Sequence, residues 1–236
     1  MIINPYRFAA AGGGIKTDLV GWWDLEETGT TADRLDATAN NLDMTVTGSI
    51  LGSTGKIGTA AEAATSSDSL TRPDEALTSI TGDMTIAGWI NNTNNSSIMT
   101  ILSKSDGTVN QRSYILYAQV NKFKFLVNVD GNSGASNTIV TSTTTASTGT
   151  WYFVCGVFTA GVDVDLWVNG TKEASAGSAP ASLHDGTAPL EIFSLNDGVN
   201  NGQGLLDSVG LWSRALSDAE IATLYNSGSG VAYADL

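Results

Sequence analysis

From Asp18 onward the apolar positions recur mostly every second residue, the period of a strand with one buried face. In "MTIAGWI" (84–90), Met84, Ile86, Gly88 and Ile90 fall on one face, and Thr85, Ala87 and Trp89 on the other. "YILYAQV" and "KFKFLVNV" pair across a turn at Asn121. Lys122 and Lys124 then share one face, while Phe123, Phe125 and Val127 share the opposite one. "WYFVCGVF" is apolar on both faces, as a central sandwich strand should be. "DVDLWVNGTKEA" reads as a hairpin, because Asn169-Gly170 supplies the two positive φ values of a type I′ turn. Its first strand sets Val164, Leu166 and Val168 against Asp163, Asp165 and Trp167. "LVGWWDL" opens one more strand. Polar loops are expected at 91–97, 130–138 and 196–204, and the threonine-rich "TSTTTASTGT" (141–150) as a solvated edge strand.

The period changes near the end, in "LLDSVGLWSRALSDAEIATLYNSG" (205–228). Ser217 and Glu220 form the capping box S-x-x-E, and Leu216 with Ile221 makes the accompanying hydrophobic staple. Ile221, Leu224 and Tyr225 line one side, and Gly228 is placed to stop the helix in the left-handed region. A helix this short is marginal alone, so it is expected to dock on the sandwich as a lid. In the strand before it, alternation puts Asp207 in line with Leu205, Val209 and Leu211, on the apolar side. A carboxylate buried there needs backbone hydrogen bonds, a cation or a metal.

Composition narrows the function. The chain has 236 residues and a net charge of −13, with its eleven Lys and Arg scattered rather than patched. Such a surface repels phosphate backbones and anionic lipid, so nucleic acid is not an expected partner. No apolar run is long enough to span a membrane, and "MIINPYRFAAAGGG" lacks the charged start, apolar core and cleavage site of a secretory signal. The sequons at Asn91, Asn94, Asn95 and Asn169 therefore carry no weight. The lone cysteine, Cys155, sits in an apolar strand and reads as a core thiol. The lone histidine, His184, has Asp185 beside it but no nucleophile motif and reads as a loop residue. Glu26 and Glu27 are adjacent, so in a strand they would face opposite ways rather than form a pair of catalytic acids.

Taken in order, "LVGWWDLEETGTTADRLDATANNLDMTVTG", "GKIGTAAEA", "GDMTIAGWI", "TILSKSD", "GTWYFVCGVF", "VDLWVNGTKEA" and the helix-bearing ending resemble the LamG-like jellyroll branch of the concanavalin A-like superfamily, over about residues 18–228. The resemblance implies an all-β sandwich of two antiparallel sheets with one short C-terminal helix. Outside it, residues 1–17 hold the compact aromatic "INPYRF" and the hinge-like "AAAGGG" and are expected to be an anchoring peptide and Gly-rich hinge, the alternative being a disordered terminus, with 229–236 a tail. The resemblance also implies a structural Ca²⁺ near the terminal aspartate, with ligands from the N-terminal loop. "DRLDATANNLD" offers Asp33, Asp36, Asn40 and Asp43 there, and the expected set is Asp36, Asn40 and Asp207. Backbone hydrogen bonding of Asp207 without metal is the simpler alternative.

Since the fold hosts enzymes, lectins and spacers alike, it does not fix the function. The glycosidases on it carry an E-x-D-x-(x)-E strand that this sequence lacks, and no enzymatic role is expected. The opening "INPYRFAAAGGG" resembles the N-termini of tailed-phage structural proteins. That implies a virion protein on the particle exterior (a capsid decoration, fibre or tail appendage), with Asn4, Pro5, Tyr6, Arg7 and Phe8 contacting another virion protein. A homo-oligomer such as a trimer is compatible with this reading. The alternative is a lectin-like module binding a host-surface glycan, through aromatic faces and Asn or Asp side chains.

Overall fold

A computed structural model describes residues 14–106, 110–195 and 202–236. Along the chain run β1 (Leu19–Trp23), β2 (Thr45–Thr47), β3 (Ile50–Thr54), β4 (Thr59–Ala63), β5 (Ser69–Arg72), β6 (Met84–Asn92), β7 (Met99–Ser105) and β8 (Arg112–Gln119). There follow β9 (Lys122–Gly131), β10 (Asn137–Thr141), β11 (Tyr152–Thr159), β12 (Asp163–Val168), β13 (Thr171–Gly177), β14 (Leu190–Ile192), β15 (Gly204–Trp212) and α1 (Asp218–Tyr225). One sheet runs β13-β12-β11-β6-β15-β4-β3, with β1 also paired to β15; the other runs β10-β9-β8-β7-β14-β5-β2. The strand pairs are antiparallel, and this is the expected two-sheet sandwich.

The core between the sheets is built by the residues that alternation assigned to it. Met84, Ile86 and Ile90 of β6 meet Phe123, Phe125 and Val127 of β9 and Val164, Leu166 and Val168 of β12 in one cluster. The second hairpin turn has the expected positive φ values at Asn169 and Gly170, and the first, at Asn121, has them at Val120 and Asn121. The threonine-rich segment behaves differently from expectation. The edge strand is β10, which ends at Thr141, and 142–150 form a loop. Its carbonyls bind elsewhere: the Lys122 ammonium donates to the carbonyls of Thr143 and Thr144, and Ala146 N–H reaches Asn121 O at 2.8 Å. Glu173 on β13 accepts the Thr144 N–H, so the loop is held by side chains and isolated backbone bonds rather than by a ladder.

The other face of the larger sheet carries a second apolar cluster, with Trp22, Trp89, Phe153, Trp167 and Trp212 under Ile221 and Leu224 of α1. The capping box is present: Ser217 Oγ accepts from Glu220 N–H and Glu220 Oε2 accepts from Ser217 N–H. The stop comes earlier than expected. Asn226, not Gly228, is the left-handed cap (φ 47, ψ 51), and its N–H reaches Ala222 O. Both ends of the described chain lie on this face. Ile15, Tyr233 and Leu236 pack against the cluster, Trp212 Nε1 donates to Ile15 O at 2.7 Å, and the Lys16 ammonium lies over the Tyr233 ring. No helix among the described residues is long and apolar enough to cross a membrane.

Candidate functional site

Asp207 does not face the intersheet core. Leu206, Val209 and Leu211 do, because β15 carries a bulge after Asp207, where Ser208 takes φ 49 and shifts the alternation by one residue. The bulge sits where β15 changes partner along one edge, from β4 at Leu206 to β1 at Val209. At that junction the β3–β4 turn leaves two N–H groups without a strand partner. Asp207 Oδ2 accepts both, from Lys56 at 2.7 Å and Ile57 at 2.8 Å, and Oδ1 accepts the Ser208 hydroxyl at 2.9 Å. The carboxyl is fully buried, and burial pushes its pKa up to about 6 against the opposing effect of these hydrogen bonds.

Asp36 and Asn40 lie in the loop after β1 and bond to the β1 backbone, not to the β3–β4 turn. Asp36 Oδ1 accepts the N–H groups of Trp22 (3.0 Å) and Thr38 (2.9 Å). Oδ2 accepts the Thr38 hydroxyl (2.8 Å) and Leu42 N–H (2.9 Å). Asn40 Nδ2 donates to Val20 O at 2.8 Å, Asp43 Oδ1 accepts Asp36 N–H, and Asp33 is exposed. Sequence reasoning missed Arg34, whose guanidinium is fully buried and donates to the carbonyls of Gly29, Ala32 and Ile50, pinning the same loop. A calcium ion needs six to eight oxygens. Here the carboxylates of Asp36 and Asp207 are occupied by N–H and O–H donors on different elements. Among the described residues no three His, Cys, Asp or Glu side chains are arranged to hold a metal. This donor set does not fit Ca²⁺.

Other ionisable groups are similarly committed. Glu26 accepts Thr59 N–H at 2.8 Å, and Glu27 accepts Leu35 N–H at 2.9 Å. His184 ties its loop to β8, β9 and the β7–β8 connection: its N–H binds Asn128 O, its carbonyl accepts the Ser113 hydroxyl, and Nε2 lies 3.0 Å from Asn110 O. Cys155 is buried, and desolvation pushes its thiol far up. Five of the six tryptophans are buried and Trp151 is half-buried. The loops expected to offer polar groups separate. Thr93 N–H binds Gln203 O at one end of the sandwich, whereas the loop after β9 is at the other, where Ser136 and Asn132 hold the Asp130 carboxylate and push its pKa down. Residues 196–201 and the peptide Asn4, Pro5, Tyr6, Arg7 and Phe8 lie outside the described residues.

A cavity of about 670 Å³ was not foreseen. It lies on the helix-bearing face, between the β3–β4 turn (Lys56, Ile57), the end of α1 (Thr223, Asn226) and the last residues (Val231, Asp235). No periodicity signals it, because its walls come from three segments far apart in sequence. Lys56 Nζ lies 4.9 Å from the Trp89 ring. The Asn226 amide donates to Gly230 O at 2.9 Å, and Tyr233 N–H to Asp24 Oδ1 at 3.2 Å, which fixes the tail as a wall.

A family model described as the concanavalin A-like lectin/glucanases superfamily matches residues 64–222. No curated protein sequence matches the chain. Among solved structures, the binding domain of Paraclostridial Mosquitocidal Protein 1 is similar with a TM-score of 0.71 and 18% identity, covering 90% of this chain and 53% of that one. The ligand-binding domain of botulinum neurotoxin serotype D, solved with N-acetylneuraminic acid, gives 0.68 and 14%, covering 89% and 50%. Domain 4 of an extracellular arabinanase from Geobacillus stearothermophilus, solved with arabinotriose, gives 0.69 and 15%, covering 91% and 98%. The chain thus spans about half of the toxin domains and nearly all of the arabinanase domain. At these identities the likeness establishes the fold.

Proposed function

The chain belongs to the concanavalin A-like lectin/glucanases superfamily, and from that premise we propose that it is a non-catalytic structural protein of a bacteriophage particle, displaying its sandwich on the exterior from an N-terminal tether. The observation that carries this reading is how the described chain begins. Ile15 to Thr17 are clamped to the sandwich through Trp212 Nε1 on Ile15 O and Arg214 Nε on Thr17 O, at 2.7 and 2.8 Å. The attachment point of the tether is therefore fixed beside α1 at the end of β15, and the loop at 93–98 lies at the opposite end of the sandwich. The likeness of "INPYRFAAAGGG" to tailed-phage N-termini supplies the particle. The commitment of Asp36, Asp207, Glu26 and Glu27 to backbone N–H groups supports a body that does no chemistry. The net charge of −13 suits a surface that must not stick to its neighbours or to anionic debris. Deletion of residues 1–13, which spares the Ile15 clamp, tests the tether. The truncated chain is expected to fold with an unchanged melting temperature and to be lost from purified particles. Normal incorporation would overturn the reading.

A second reading, compatible with the first, is glycan binding. It is favoured by structural neighbours solved with N-acetylneuraminic acid and with arabinotriose. Screening residues 14–236 on a glycan array tests it: reproducible binding supports it and a blank array contradicts it.

A further inference from the structure

The cavity between the β3–β4 turn, the end of α1 and the C-terminal residues has the parts of a small-ligand site. It is an open hollow of about 670 Å³. Its floor and walls are fixed before any ligand arrives. The backbone of Lys56 and Ile57 is held from below by the Asp207 carboxylate, at 2.7 and 2.8 Å. Gly230 adopts φ +75 and lies so close that a Cβ there would sit 2.6 Å from Ile57 Cδ1 and 2.9 Å from Trp89 Nε1. That contact locks the tail against the turn. Preorganised walls lower the entropic cost of binding.

The lining is chemically mixed. Ile57 and Val231 supply apolar surface, and Asn226, held in its left-handed cap, keeps its side-chain carbonyl oxygen for a donor. Two full charges of opposite sign share this lining, the Lys56 ammonium and the Asp235 carboxylate. Among the described residues neither has an ion-pair partner, and the Lys56 ammonium is held over the Trp89 ring, 4.9 Å from its centroid. A carboxylate to accept from hydroxyls, an ammonium and amide to bind oxygens and donors, and an apolar wall for C–H surface match a saccharide ring, each of whose hydroxyls both donates and accepts. Asp235, with the net charge of −13, disfavours an acidic sugar.

We propose that this cavity binds a neutral mono- or disaccharide between Lys56 and Asp235; the proposal rests on the glycan-binding reading and gives it a site away from the polar loops. The test is a ¹H–¹⁵N NMR titration of the full chain with galactose, N-acetylglucosamine and arabinotriose, run beside the glycan array. Saturable shifts are expected at the amides of Lys56, Asn226 and Val231. Lys56→Met and Asp235→Asn should each weaken binding about tenfold, the loss of one hydrogen bond to a charged group, with the melting temperature unchanged in Asp235→Asn. Array-positive binding that shifts only the loops at 93–98 or 131–136, or that both variants retain in full, would overturn the cavity and leave the glycan reading standing. A blank array with a flat titration would overturn both.

Discussion

Asp207 shows what a single residue contributes to this fold. Its carboxyl is pushed up to about 6 from 3.8, so the folded state holds its proton more tightly than the unfolded chain. Stability from this group is fully present below the unfolded value of 3.8 and is lost as the pH rises through 6. A shift of this size corresponds to on the order of 3 kcal/mol. Wild type should therefore melt higher at pH 5 than at pH 7.5. Asp207→Asn, which retains an oxygen for the Lys56 and Ile57 N–H groups, should flatten that slope, as thermal scans across pH would show. Asp207→Ala strands both N–H groups and should cost about 3 kcal/mol at pH 5 in chemical denaturation. Neither Asp207 nor Asp36 is expected to answer to metal, so adding EGTA should leave the melting temperature unchanged. The sequence made Asp207 conspicuous but assigned it the wrong face. A bulge costs one residue of register, and nothing in "LLDSVGLW" marks Ser208 as the residue that takes it. Asp36 is bonded to Trp22, fourteen residues earlier, a contact that spacing alone does not reveal.

At the scale of elements, what was legible was local. The β6, β9 and β12 faces follow from alternation alone. The start of α1 follows from S-x-x-E, since both partners of the capping box lie within four residues. Its end was less legible: Asn and Gly both enter the left-handed region, and the chain uses the earlier of the two. Ser217→Ala should destabilise by about 1 kcal/mol, measurable by urea unfolding. Glu220 adds a second pH window. Its carboxyl is held down to about 2 by Arg214 and by the Ser217 N–H and hydroxyl, so its contribution is present above 4.5 and lost as the pH falls through 2. Acid below pH 4 should thus loosen the helix even though Asp207, already protonated there, contributes its full stability. Threonine content misled past Thr141, where Lys122 takes the carbonyls of Thr143 and Thr144 and Glu173 the Thr144 N–H, leaving β propensity no ladder to join.

For the whole molecule, the ordered segments were enough to indicate a two-sheet sandwich, but not its strand order, which depends on pairings such as β15 with β4, far apart in sequence. The cavity was illegible for the same reason: Lys56, Asn226 and Asp235 become neighbours only after the last strand is in place. The termini give the molecule its polarity. Ile15 and Leu236 pack into one cluster under the helix, so one broad face holds both ends of the described chain. A body fixed in this way can be carried by a short peptide and still present the loop at 93–98, at the end of the sandwich opposite Ile15. The most direct test moves that peptide elsewhere. Residues 1–14 fused to a fluorescent protein should sediment with phage particles produced in the same cells, while residues 15–236 alone remain in the supernatant. If the fusion stays soluble and the isolated sandwich sediments, attachment belongs to the sandwich and the tether account is wrong.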